Sequence, residues 1–203
     1  MKQSVFTVTA NEKIAANTYR MTLEGDTSAI TKAGQFVNIK LDGFFLRRPI
    51  SVYDCNEGKL GLIYKAVGKG TEYMAGLERG AELDILTGLG NGYDLSKSGE
   101  RPLLIGGGAG VPPMYNLCRR LIAEGRKPIV VMGFNKADEI FCKEEFEKLG
   151  AEVIIATADG SVGVKGFVTD AIKDIDYTYV YTCGPEPMLK AVYNAIKTSG
   201  QFS

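Results

Sequence analysis

Four short stretches carry residue types and spacings that could do chemistry. In "FFLRRPISVYD", Phe44 to Asp54, two arginines sit inside a strand-like apolar run, followed at once by a proline and a serine. Neighbours on a strand point to opposite sides of the sheet, so at most one of Arg47 and Arg48 serves the Ser51 side. The pattern reads either as a solvated strand edge or as a fixed anion site. In "YKAVGKGTEYM", Tyr64 to Met74, Gly70 frees the backbone and Thr71 is positioned to cap a helix, which again suits an anion or is an ordinary capped turn. In "IGGGAGVPPM", Ile105 to Met114, glycines between an apolar strand and a helix let backbone N–H groups approach a ligand closely. Pro112 and Pro113 belong in a first helical turn, where a missing N–H is harmless. The stretch departs from the G-x-G-x-x-G fingerprint, because Gly108 and Gly110 are followed by Pro113. The fourth stretch, "TCGPEPM", Thr182 to Met188, closes an apolar strand and places Cys183 either toward a ligand or in a buried structural role.

Composition narrows the chemistry. Histidine is absent from the 203 residues, which excludes a Ser-His-Asp triad, a histidine metal ligand and an imidazole general base. If the protein is an enzyme, its chemistry is expected to belong to a bound cofactor. Cys55, Cys118, Cys142 and Cys183 are widely and irregularly spaced, without a C-x-x-C pair, so no metal site is expected from them. Basic and acidic residues number 24 each, which leaves no excess of positive charge for nucleic acid. No apolar run approaches the roughly 18 residues of a membrane span. The N-terminal "MKQSVFTVTANEK" turns polar too early for a signal peptide, and a cytoplasmic protein is expected.

Two halves with different grammar must position these stretches. Up to Ser98, "VFTVTA", "TYRMTLEG", "QFVNIKL", "ISVYD", "LGLIYKAV" and "ELDIL" read as strands punctuated by turns. Six such strands predict a closed antiparallel β-barrel, which leaves no exposed sheet edge. One helix is expected over "TEYMAGLERG", capped by Thr71 and stopped by Gly80. Beyond the polar "SKSGERP", apolar strands alternate with helices: "PLLIGGG", "PPMYNLCRRLIAEG", "PIVVMGF", "ADEIFCKEEFEKLG", "EVIIAT", "GFVTDAI", "YTYVYTCG" and "EPMLKAVYNAIK". That alternation predicts an α/β domain with a parallel sheet and right-handed crossovers. The two domains are expected at 1–98 and 99–203. Ligands of such sheets bind at the carboxyl ends of the strands, where both the glycine loop and the Cys183 loop lie. Asn135 and Lys136, followed by Asp138 and Glu139, offer no basic cluster after the second strand, which favours NAD over NADP.

Taken in order, "RPIS" at 48–51, "GKGT" at 68–71, "GAGVPP" at 108–113 and "CGPEPM" at 183–188 resemble the ferredoxin–NADP reductase superfamily over essentially the whole chain. Its Arg-x-x-Ser pattern matches Arg48 and Ser51. Gly-x-Gly-x-x-Pro matches Gly108, Gly110 and Pro113, and Cys-Gly-x-x-Pro-Met matches Cys183, Gly184, Pro187 and Met188. "FFLRRPISV", "ILTGLGNGYDL" and "DGSVGVKGFVTD" look like the electron-transfer subunits of NAD-dependent dihydroorotate dehydrogenase.

This resemblance implies a barrel holding FAD and a second domain holding NAD(H). FAD would lie along Arg48, Pro49, Ile50 and Ser51, along Ile63, Tyr64 and Lys65, and on Gly70 with Thr71. Arg48 would bind the pyrophosphate and Ser51 would tune the isoalloxazine. Gly106, Gly107, Gly108, Gly110 and Pro113, with Cys183, Gly184 and Pro185, would admit the dinucleotide, Cys183 packing near the nicotinamide. Ser51 and Cys183 are the residues implied nearest the chemistry, a hydride exchange between nicotinamide and flavin stacked where the two domains meet. The resemblance further implies an FMN-containing catalytic partner subunit, a heterotetramer, and a [2Fe–2S] cluster on a cysteine-rich segment following about where "TSGQFS" ends this sequence. The four cysteines present cannot substitute for that segment's ligands. Two alternatives stay open: the small subunit of an NAD(P)H–ferredoxin or sulfide-type oxidoreductase, and a non-catalytic assembly module without flavin.

Overall fold

The computed structural model describes residues 1–198; the tail from Ser199 to Ser203, at which the cluster-bearing segment was expected to follow, lies outside the described residues. The chain separates into two compact units, Met1–Tyr93 with Tyr115–Leu117, and Asp94–Met114 with Cys118–Ser203.

The first unit contains β1 (Lys2–Ala15), β2 (Thr18–Glu24), β3 (Phe36–Ile39), β4 (Arg48–Asn56), β5 (Lys59–Lys65), α1 (Lys69–Ala75) and β6 (Glu82–Leu89). The six strands close an antiparallel barrel in the order β1-β2-β5-β4-β3-β6. Alternate residues point inward, and Phe6, Val8, Met21, Leu23, Val37, Ile39, Leu60, Leu62 and Ile85 fill the interior. Each such burial contributes about 1.5–3 kcal/mol. β1 runs well past the expected "VFTVTA", through the polar "NEK", because its first half pairs with β6 and its second half with β2. The register shifts between Val8 and Ala10 and between Lys13 and Ala15 are bulges that let one strand turn this corner.

The helix of this unit differs from the expected one. Its N-cap is Gly68, and it ends at Gly76 rather than Gly80. Thr71 stands inside the first turn, where its hydroxyl accepts from the N–H groups of Val67 (3.0 Å) and Gly68 (3.2 Å) and donates to the Gly68 carbonyl (3.0 Å). A threonine at N3 reaching backward satisfies the N–H of the N-cap and of the residue before it, the half of a capping box that the third helical residue supplies. The early stop follows from Asn11, whose Nδ2 donates to the carbonyls of Met74 (2.9 Å) and Leu77 (3.0 Å).

The second unit contains β7 (Leu103–Gly107), α2 (Val111–Ala123), β8 (Ile129–Phe134), α3 (Lys143–Leu149), β9 (Glu152–Thr157), β10 (Val164–Lys165), α4 (Val168–Ala171), β11 (Val180–Cys183) and α5 (Glu186–Thr198). Its parallel sheet has the order β10-β9-β8-β7-β11. β7 is buried throughout, as a strand covered on both faces must be. Leu103, Ile105, Ile129 and Val131 pack against Val168 and Ile172 and against Val192 and Ile196 of α5.

The helix expected over Ala137 to Gly150 is broken. A single 3-10 turn at Ala137–Glu139 is followed by Cys142 in the left-handed region, with φ of 62°, and only then by α3. Phe141 and Cys142 are both buried, so burying them takes precedence over helix continuity at this point. No helix among the described residues is long and apolar enough to cross a membrane.

Candidate functional site

The two arginines divide their work. Arg47 is held inside the first unit: its guanidinium pairs with both carboxylate oxygens of Asp84 at 3.1 Å and donates to the carbonyls of Asn38 (3.2 Å) and Asp84 (3.0 Å). It pins the β3–β6 seam. Arg48, at the start of β4 opposite Ile39, has its guanidinium carbon 5.0 Å from the centre of the Phe44 ring and donates to the Leu46 carbonyl at 2.5 Å. It also lies against α1, for a β-carbon added at Gly70 would sit 2.1 Å from the Arg48 Nε. The structure thus brings "RPIS" and "GKGT" together around one half-buried cation.

Around Arg48 the surface is apolar. Phe45 is fully exposed, and Leu46, Val67 and Tyr73 are exposed as well, with Tyr73 in ring contact with Phe44 at 5.7 Å. Ser51 is half-buried and pairs across to Phe36; Pro49 is exposed and Ile50 half-buried. Ile63 and Tyr64 are buried, and Lys65 is half-buried. The Tyr64 hydroxyl donates to Asn11 Oδ1 at 3.0 Å, and burial pushes its pKa up to about 12. Its phenol is committed to the barrel, which leaves the backbone of this strand, rather than the ring, for a cofactor.

In the second unit the glycine loop and the Cys183 loop meet at the carboxyl ends of adjacent parallel strands, Cys183 pairing with Gly106. The glycines are mostly there to let these loops touch. A β-carbon at Gly110 would lie 2.1 Å from the Cys183 carbonyl oxygen, and one at Gly106 would lie 2.8 Å from the Val111 Cα. Met188, from the first turns of α5, wedges between the loops: β-carbons at Gly107 and Gly184 would meet its Sδ at 2.4 Å and its methyl at 2.5 Å. Pro113 is buried, and Pro185 is exposed. The surface left open is the lip formed by Gly108, with φ of 50°, and the exposed Ala109, at the N-terminus of the 13-residue α2. Pro112 and Pro113 carry no N–H and the Val111 N–H is bonded to the Gly108 carbonyl. What this lip offers a pyrophosphate is therefore close approach of the glycine-loop backbone and the partial positive charge of the helix terminus. Cys183 is half-buried beside it, whereas Cys118 is buried in α2 and its pKa is pushed up to about 12 by burial, which leaves it an inert thiol.

At the ends of β8 and β9 the polar residues are tied to one another. Asn135 Nδ2 donates to both Glu139 carboxylate oxygens at 3.1 Å, and Lys136 pairs with Asp138 at 2.9 Å. Ser161 accepts from the Ala137 N–H at 2.9 Å and donates to Asp159, whose carboxyl is held below its usual range chiefly by that hydroxyl. Lys136 is paired with Asp138 and also has Glu139 and Asp159 beside it, so it offers little to a further phosphate.

Phe44, the Leu46 carbonyl and the wedging role of Met188 were not anticipated from sequence. An aromatic four residues before Arg48 was visible there, but nothing marked it as the face on which the guanidinium rests. Among the described residues no group of three or more His, Cys, Asp or Glu side chains is arranged to hold a metal. The cysteines lie on β4, on α2, before α3 and at the end of β11, so they do not form an iron–sulfur ligand set.

Comparison with known proteins agrees with this geometry. Residues 104–194 match the family described as the oxidoreductase NAD-binding domain. The chain is 45% identical, over its full length and 83% of the relative's, to the dihydroorotate dehydrogenase B (NAD(+)) electron transfer subunit of Fusobacterium nucleatum subsp. nucleatum. It is 43% identical, over 95% of its length and 78% of the relative's, to the subunit of that name from Bacillus pumilus. Among solved structures, an NADH-dependent reduced ferredoxin-NADP oxidoreductase superposes with a TM-score of 0.86 at 27% identity, over 95% of this chain and 72% of the other. The cytochrome b5 reductase domain of Ulva prolifera nitrate reductase, at 19% identity and a TM-score of 0.81 over 100% of this chain and 94% of the other, shares the fold. A barrel followed by a parallel-sheet unit, with these loops at these strand ends and this identity along the whole chain, places the protein in the family of dihydroorotate dehydrogenase B (NAD(+)) electron transfer subunits.

Proposed function

We propose that the chain carries FAD on its barrel and NAD(H) on its parallel-sheet unit, and that it links dihydroorotate oxidation on a partner subunit to NAD⁺ reduction in pyrimidine biosynthesis. The observation that carries this reading is the junction of the glycine loop with the Cys183 loop at the carboxyl ends of β7 and β11, the place where parallel sheets receive nucleotides. When bound, flavin and nicotinamide supply the chemistry, a hydride passing between them. The chain's residues bind and orient.

On the barrel, Arg48 is the pyrophosphate ligand, Ser51 lies along the isoalloxazine, and the segments Pro49–Ile50, Ile63–Lys65 and Gly70–Thr71 form the walls. On the second unit, the lip at Gly108 and Ala109 receives the dinucleotide phosphates and Cys183 flanks the nicotinamide. Gly106, Gly107, Gly110, Pro113, Gly184 and Pro185 shape the two loops. No side chain has to move a proton, which agrees with a chain that lacks histidine. The four cysteines do not fit a [2Fe–2S] cluster, so no electron step is routed through one here. The partner is a flavin-containing catalytic subunit, and the assembly is a heterotetramer of two of each chain. Titrating FAD with the apoprotein, followed by flavin fluorescence, tests the reading: one FAD per chain is expected, and fluorescence that never changes would contradict it.

A further inference from the structure

Gly70 occupies the second position of α1, and it is not among the residues with positive φ. Its backbone conformation is one that any residue adopts, and in a helix alanine is favoured over glycine. Conformation therefore gives no reason for a glycine there. Space does: a β-carbon at residue 70 would meet Nε, Cζ and Nη2 of Arg48 at 2.1, 2.7 and 2.7 Å. The half-buried guanidinium also faces the Phe44 ring and donates to the Leu46 carbonyl.

We infer that Gly70 and Phe44 are positioning residues for Arg48. They form a slot that fixes the guanidinium before the cofactor arrives, and Gly70 itself contributes room rather than a phosphate contact. The slot acts on FAD affinity because a preorganised cation gives up less rotamer freedom on binding. An arginine side chain left free loses that freedom when it is ordered on a ligand. This inference rests on the reading of Arg48 as the pyrophosphate ligand.

The test is a double-mutant cycle on FAD affinity, measured with the full-length apoprotein alongside its melting temperature, with riboflavin as the control ligand that lacks a pyrophosphate. Arg48→Ala is expected to weaken FAD by about 10- to 100-fold, as loss of a charge-assisted contact does. Gly70→Ala is expected to weaken FAD about tenfold by displacing Arg48, and to have no further effect on an Arg48→Ala background. Phe44→Leu, which keeps apolar bulk but removes the ring face, is expected to show a smaller loss with the same dependence on Arg48. Riboflavin binding stays at the wild-type value in all of them. Wild-type FAD affinity in Gly70→Ala, or losses that multiply in the double mutant, would overturn the inference while leaving Arg48 as a ligand. A Gly70→Ala chain that unfolds only when Arg48 is present supports it; one that unfolds in both backgrounds overturns it. An unchanged FAD affinity in Arg48→Ala would instead defeat the underlying assignment of Arg48.

Discussion

Gly110 backs onto Cys183 so closely that a β-carbon at residue 110 would lie 2.1 Å from the Cys183 carbonyl oxygen and 2.7 Å from the Gly184 nitrogen. These are backbone atoms at the end of a sheet strand, so they cannot yield as a flexible side-chain tip would. Gly110→Ala is therefore expected to shift the Cys183 loop by a large fraction of an ångström. Displacements of that size cost on the order of 100-fold in rate where two reactants must be aligned. The measurement is anaerobic reduction of the bound flavin by NADH. Slow reduction with full FAD occupancy is expected, and a wild-type rate would separate this contact from function.

Met188 fills the space that Gly107 and Gly184 leave between the same two loops. Met188→Ala removes that wedge and is expected to cost about 2–3 kcal/mol, toward the low end for methionine truncations because the site is only partly buried. Urea unfolding monitored by circular dichroism reads this directly. A loss below about 0.5 kcal/mol would place Met188 among ordinary surface residues.

Arg47 and Arg48 should fail in different ways. Arg47→Ala removes the guanidinium from the Asp84 carboxylate and from the carbonyls of Asn38 and Asp84, with Gln3 Nε2 still donating to that carboxylate and the Lys40 N–H to the Asp84 carbonyl. A loss of about 1.5–3 kcal/mol of stability is expected, with FAD affinity retained. Arg48→Ala should do the reverse. Melting temperature and flavin titration on both variants separate the roles, and a stability loss confined to Arg48→Ala would invert the assignment.

Much of this arrangement is legible in the sequence wherever the determinants are local. The period-2 strands of the barrel, the buried "PLLIGGG" run and the prolines opening α2 each announce their element. The contacts that give the glycines their purpose are not local. Arg48 meets Gly70 22 positions away, and Gly110 meets the carbonyl of Cys183 from a different βα unit, so neither motif contains its own explanation. The break before α3 is not legible in the sequence, because Cys142, which takes a left-handed conformation there, is not a residue that advertises a turn. β10, at two residues, is too short for any alternation to register.

On the proposed reading, the corner after β8 disfavours NADP. Lys136 is paired with Asp138, and Glu139 and Asp159 stand nearby, so a ribose 2′-phosphate would meet net negative charge. NADH is expected to reduce the flavin at least tenfold more efficiently than NADPH, and Glu139→Lys to narrow that ratio by about tenfold. Equal efficiencies for the two nucleotides in the wild-type chain would place the ribose elsewhere.

Alkali should destabilise the fold. Tyr64, Tyr181 and Cys118 all have pKa values raised to about 12, each chiefly by burial. For groups whose neutral form is favoured in the folded state, the contribution is complete below the unfolded pKa, near 9 for the thiol and 10 for the phenols. It is lost as pH rises toward 12. Urea midpoints should hold steady through neutral pH and fall above about pH 9. A midpoint that rises over that range would contradict the burial of these three side chains.

The most direct test of the account is the visible absorption spectrum of the purified chain reconstituted with FAD, recorded before and after anaerobic addition of NADH. The account predicts flavin bands at about one FAD per chain that bleach on NADH addition. Bands that persist in the presence of excess NADH, or a protein that remains colourless after incubation with FAD, would contradict it.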